Sequence, residues 1–289
     1  RGAGGWGTML KCWRFVYQYA IVLLVLGDGV ASPGLAGGRH RALVGVGGLS
    51  AAGQDASADT IVAGLRAACD DTKTAGVILR INSPGGSPVQ AGYVFDEIQR
   101  LRAKHPEIPV HAVVTDVCAS GGYYIAAAAD NVYANKASIV GSIGVRMDSF
   151  GFVEALEKLG VERRLLTAGQ NKGLLDPFLP LDEQEVSHVQ TMLDNIHQQF
   201  IETVKTGRGD RLKDDPQLFS GLMWTGEQAL KLGLVDDLLS ASQVARDVIG
   251  TDTVRDYTLR RDLLHRFTDR LGMALSKGIT ELMGSNSIR

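Results

Sequence analysis

Asp116-Val117-Cys118-Ala119-Ser120-Gly121-Gly122-Tyr123-Tyr124-Ile125 joins two runs of opposite character. Upstream, Pro109 to Thr115 (PVHAVVT) is short and rich in Val, as a buried strand is, and Asp116-Val117-Cys118 reads as the turn that ends it. Downstream, Ala119 to Asp130 is mostly Ala and Tyr and reads as a helix. Ser120 then stands near a helix N-terminus, where unpaired N–H groups and the positive dipole end favour a developing negative charge. Gly121 and Gly122 let another backbone approach closely. Two readings are open at this point: Ser120 is a nucleophile, or it merely caps the helix.

A second junction of the same kind follows the strand Gly76 to Ile81 (GVILRI). There Asn82-Ser83-Pro84-Gly85-Gly86-Ser87-Pro88 leads into an amphipathic helix over about 89–102. In open α/β sheets such junctions lie at the carboxyl ends of strands, where ligands bind. One backbone N–H from Gly86 and one from Gly121 would make a two-donor oxyanion hole; an ordinary turn is the alternative.

A serine hydroxyl needs a base. The six histidines, His40, His105, His111, His188, His197 and His265, all lie in settings that suit a structural role. Lys172 is the better candidate, in the glycine-flanked loop 166–175 after an expected strand at 161–166. A lysine serves as a base if desolvation brings its pKa from about 10.4 toward neutrality, at a cost of roughly 4 kcal/mol. A solvated loop lysine is the competing reading.

These residues together resemble the signal peptide peptidase family (SppA and SohB types) of serine-lysine peptidases, which share the ClpP/crotonase fold. The likeness spans roughly residues 42–240 and rests on four ordered features. They are the Ser-Pro-Gly-Gly turn, the Ala-Ser-Gly-Gly-Tyr-Tyr turn, the Ile139–Val145 segment and a lysine 52 positions after the serine (172 − 120). The resemblance implies Ser120 as nucleophile, Lys172 as general base, and the Gly86 and Gly121 amides as oxyanion donors. It also implies Ser142 in support, orienting the amine or the deacylating water, unless that serine only caps its turn. The substrates implied are remnant signal peptides and other membrane-released or misfolded polypeptides, cleaved through an acyl-enzyme. No metal, nucleotide or organic cofactor is implied. Short members assemble into rings, in some of which serine and lysine come from adjacent protomers. A homo-oligomer with inter-protomer sites is therefore expected. ClpP uses a histidine about one helix after its serine, and Gly144-Val145-Arg146 offers none at that place. The alternative from another class is a non-proteolytic scaffold or acyl-CoA-binding module on the same fold.

Composition agrees with an α/β enzyme. A 289-residue chain with 45% hydrophobic residues can hold one large domain or a domain with appendages, and its net charge of −2 argues against nucleic acid as the main partner. Cys12, Cys69 and Cys118 are too few and too scattered for a disulfide framework or a zinc site.

The expected organisation has three parts. Residues 1–40 form a targeting or membrane-anchor segment, because Phe15 to Leu26 (FVYQYAIVLLVL) is apolar and follows Lys11 and Arg14. By resemblance this anchor sits in a bacterial inner membrane, with the catalytic domain on the extracytoplasmic side. Residues 41–250 form the peptidase domain, alternating strand and helix into a mainly parallel, ClpP/crotonase-like spiral. Its long helix, near 182–207, carries Val186, Val189, Met192, Ile196 and Phe200 at helical spacing. Residues 251–289 form a basic amphipathic extension suited to an anionic membrane or a neighbouring subunit.

Overall fold

The computed structural model describes residues 39–47 and 57–259. The expected membrane segment, Cys12 and the part of the C-terminal extension beyond residue 259 lie outside them. Among the described residues, no helix is long and apolar enough to cross a membrane.

The chain forms a mixed α/β fold on a mostly parallel sheet. Strands β1 (His40–Gly47), β2 (Thr74–Ser83) and β3 (Val110–Ala119) lie side by side in parallel. Helix α1 (Ala58–Asp70) falls between β1 and β2, and α2 (Pro88–Lys104) between β2 and β3. A short α3 (Gly121–Ala126) leaves β3, and β4 (Asn131–Tyr133) and β5 (Ile139–Gly141) both pair with β3. The long α5 (Glu183–Arg208) follows a short α4 (Val153–Lys158). Strand β6 (Met223–Thr225) returns antiparallel to β5, α6 (Gly226–Lys231) follows, and β7 (Val254–Asp256) pairs with β1 in parallel. The strand order is β6-β5-β3-β2-β1-β7. Strand β7 falls in the segment read from sequence as an extension, so the sheet continues past residue 250.

Both faces of the sheet are covered, which is why its strands are apolar runs rather than simple alternations. In β2, Val77, Leu79 and Ile81 face the main core with Leu65, Ile98 and Val204 of the helices. Ile78 faces the other side with Val113, Tyr133, Val244 and Ala245. An ion pair closes the far end: Arg208, its side chain wholly buried, donates to Asp236 and to the Gly233 carbonyl. Burial works against the Asp236 carboxylate, yet bonds from Arg208 and the Val132 N–H hold it below its ordinary range.

Three local expectations change. Asp116-Val117-Cys118 is not a turn, because β3 runs on through Ala119 with β5 alongside as its partner. The helix after Ser120 ends at Ala126 rather than continuing to Asp130. Residues 161–166 form no strand: they lie in an excursion in which no residue from Gly144 to His188 is buried, and they pair with no strand of the sheet. Phe150, Leu159 and Leu166 stand 76%, 75% and 96% exposed there, far more than their apolar character favours. On α5, Val189, Phe200, Val204 and Arg208 form the buried face, whereas Val186 and Met192 remain exposed.

Candidate active site

The parallel pairing of β2 and β3 brings the two glycine junctions together. Ser83 is in register with Cys118 after a shift beyond Ile81, so both strands end at the same level. Ser120 follows with φ 52° and ψ −123°, a backbone that a non-glycine residue adopts only under strain. Its N–H donates to the Gly141 carbonyl at 2.8 Å, and its carbonyl accepts from the Tyr124 N–H at 3.0 Å. Its hydroxyl makes no cap bond. The cap alternative therefore fails: the backbone is held at both ends while the half-buried hydroxyl is left to the cavity.

The second turn presses against this serine. Gly85 and Gly86 have φ of 116° and 145°. A Cβ placed on Gly85 would lie 2.7 Å from Ser120 Cβ, and one on Gly121 would lie 3.4 Å from the Gly86 nitrogen. At Gly85 only glycine allows this approach, whereas the separation at Gly121 is an ordinary contact. The hydroxyl of Ser83, fully buried, accepts from the Gly85 N–H at 3.2 Å and stiffens the turn. Among the described residues, neither the Gly86 nor the Gly121 amide donates a hydrogen bond, and both border the Ser120 cavity.

That cavity, of about 910 Å³, lies between α2, the Gly141–Arg146 segment and α5. Ser142 borders it, also at a positive φ of 52°, with its N–H donating to the Leu222 carbonyl at 2.7 Å. The structure therefore gathers Ser120, Gly86, Gly121 and Ser142. It does not add Lys172, which is exposed in a turn outside the cavity wall. Among the described residues, no lysine lines that wall.

Sequence reasoning missed His197. It reaches the cavity from α5, with Nε2 3.1 Å from the Ile143 carbonyl. Leu193, Ile196, His197 and Phe200 fall at helical spacing and all line the cavity, a stripe legible in sequence once the helix phase is known. The other described histidines lie outside the lining. Cys118 is fully buried, and burial pushes its thiol up, which leaves it unreactive beside the serine. Among the described residues, no group of His, Cys, Asp and Glu is placed to hold a metal ion.

The model of peptidase family S49 matches residues 102–251, which include Ser120, Ser142 and Lys172. The chain belongs to peptidase family S49. The Clp protease model also matches, over residues 48–140, and so covers the glycine turn and the nucleophile turn of this S49 chain. A parallel sheet carrying both turns at neighbouring strand ends is consistent with a ClpP-like fold. A Brucella melitensis protein named Na(+)/H(+) antiporter NhaA is 45% identical over 211 residues, covering 72% of this chain and 28% of its own length. A provisionally named protease of Methanocaldococcus jannaschii is 31% identical over 219 residues, 74% of this chain and 70% of its own. Protease 4 of Haemophilus influenzae is 31% identical over 217 residues, 75% of this chain and 35% of its own. The S49 chain thus spans 28% of the length of the two Brucella relatives.

Proposed function

We propose that this protein is a serine endopeptidase in which Ser120 attacks the peptide carbonyl and Lys172 of a neighbouring copy takes the hydroxyl proton. The observation that carries the reading is the strained Ser120, its hydroxyl uncapped, pressed against two amides that have no partner among the described residues. As Oγ adds to the carbonyl carbon, negative charge moves to the carbonyl oxygen, and the Gly86 and Gly121 N–H groups stabilise it. Collapse breaks the C–N bond, and the lysine returns its proton to the departing amine. Water then releases the acyl group by the same path, with Ser142 placed to orient that water or the amine.

A lysine accepts a proton only as the neutral amine, a form that desolvation favours. In a single chain Lys172 is exposed and off the cavity wall, which supports the reading that the base and its dry surroundings come from another subunit. The exposed apolar excursion around Lys172 supports this assembly, since Phe150, Leu159 and Leu166 would lose their contact with water in it. Substrates on this reading are signal-peptide remnants and other unfolded or membrane-released polypeptides. Residues 15–26 would supply membrane attachment, leaving the catalytic domain on the extracytoplasmic side. The antiporter name does not transfer, because the match covers 28% of each Brucella protein.

The test is covalent labelling by a serine-directed phosphonate together with cleavage of a signal-peptide-like fluorogenic substrate. Wild type reacts and cleaves; Ser120→Ala and Lys172→Ala do neither while remaining assembled. An unreactive wild type would instead favour a scaffold or acyl-CoA-binding role.

A further inference from the structure

We propose that His197 is a positioning residue of the Ser120 site, anchoring the Gly141–Gly144 turn to α5 so that Ser142 keeps a fixed place beside the nucleophile. The inference rests on the peptidase reading of that site but concerns a residue which that reading leaves without a role.

The turn is under unusual demand. Gly141 has φ 111° and Ser142 φ 52°, and a Cβ on Gly141 would collide with the Trp224 ring at 2.7 Å. Three tethers hold it. The Gly141 carbonyl receives the Ser120 N–H, so any shift of the turn is passed straight to the nucleophile's own backbone. The Ser142 N–H donates to Leu222 on the β6 side. The third tether is His197 on Ile143, which comes from the opposite wall of the cavity. Removing it takes away the bond from α5 and leaves the turn held only through its flanking strands β3 and β6.

The direction of the hydrogen bond follows from chemistry. A carbonyl oxygen carries no proton, so the imidazole Nε2 must be the donor. Nε2 then has no lone pair to offer Ser120, which excludes that nitrogen as the general base although His197 lines the same cavity. The neutral ε tautomer and the imidazolium both keep the bond, so anchoring persists whichever form is present. Fixing the Ile143 carbonyl also fixes the plane of the Ile143–Gly144 peptide, and Gly144 borders the cavity.

The experiment compares full-length wild type, His197→Ala and His197→Gln, whose amide N–H can replace the imidazole donor. Peptide hydrolysis gives kcat and KM; hydrogen exchange over peptides spanning residues 139–146 gives turn mobility. His197→Ala is expected to lose kcat about ten- to a hundredfold, as misplaced reacting groups do, with KM changed less. The Ser142 region should exchange faster in that variant, and His197→Gln should recover most of both effects. Glutamine behaving like alanine, or alanine behaving like wild type, would overturn the proposal. Should His197→Ala fail to fold, the glutamine variant and the imidazole nitrogen shifts of wild type decide instead, since an Nε2 without a proton contradicts the anchor. Should wild type prove inactive, the peptidase reading fails, while exchange over the turn still tests the anchor.

Discussion

Gly85→Ala should disable the site with only part of its effect passing through stability. At φ 116° an alanine is strained by about 1–3 kcal/mol. Its Cβ would sit 2.7 Å from Ser120 Cβ, whereas ordinary contact begins at 3.4 Å, so one turn must retreat by 0.7 Å (3.4 − 2.7). The Ala119 carbonyl and the Gly121 nitrogen stand at 3.1 Å on the same side, which blocks escape in that direction. Such overpacking costs about 1–3 kcal/mol more, so the total loss of stability is roughly 2–6 kcal/mol. The functional loss is separate from this, because a shift near 1 Å in a reacting group costs about a hundredfold even in molecules that stay folded. The assay is the rate of phosphonate labelling of Ser120, read beside a urea titration, with Gly47→Ala as control. Gly47 has open space around its Cβ position among the described residues and should change stability by no more than about 0.5 kcal/mol. A folded Gly85→Ala that labels within about threefold of wild type would refute the contact between the glycine turn and the nucleophile.

If serine and lysine meet across subunits, co-assembling Ser120→Ala with Lys172→Ala in equal amounts should restore about a quarter of wild-type activity, since each interface draws its two groups independently. No recovery in a verified mixed assembly would place both groups in one chain. His111 is buried against Tyr133, and burial lowers its pKa from 6.5, so folding favours the neutral ring. The unfolded chain then binds the extra proton, and this contribution is complete above about pH 6.5 and lost as the pH falls below it. Urea midpoints at pH 5 and pH 8 should differ less in His111→Phe than in wild type. Arg208→Ala leaves the Asp236 carboxylate buried without its main partner, and should cost about 3–5 kcal/mol in a thermal or urea melt. A loss under about 1 kcal/mol would mean that water replaces the guanidinium.

Read alone, the residues determined the local chemistry of this protein. Valine-rich runs ending in glycine turns specify strand ends that feed helices, and both β2 and β3 formed where those runs lie. Ser120, Gly121 and Gly86 were legible because each turn carries its own glycines, and the positive φ of Gly85 and Gly86 leaves few other choices there. Local pattern failed where long-range partners decide the outcome. Val161 to Leu166 has strand composition, yet it lies in an exposed excursion and joins no strand of the sheet. Cys118 reads as part of a turn until β5 arrives to pair with β3. His197 has a polar helical neighbourhood in sequence, and only the packing of α5 over the Gly141–Gly144 turn turns it toward the cavity. Likewise, the spacing of Lys172 from Ser120 says nothing of their separation, because the intervening excursion leaves the body of the domain and exposes the lysine. Turns and strand ends follow from short-range sterics, whereas sheet membership, cavity lining and the company a side chain keeps follow from contacts between residues far apart in the chain.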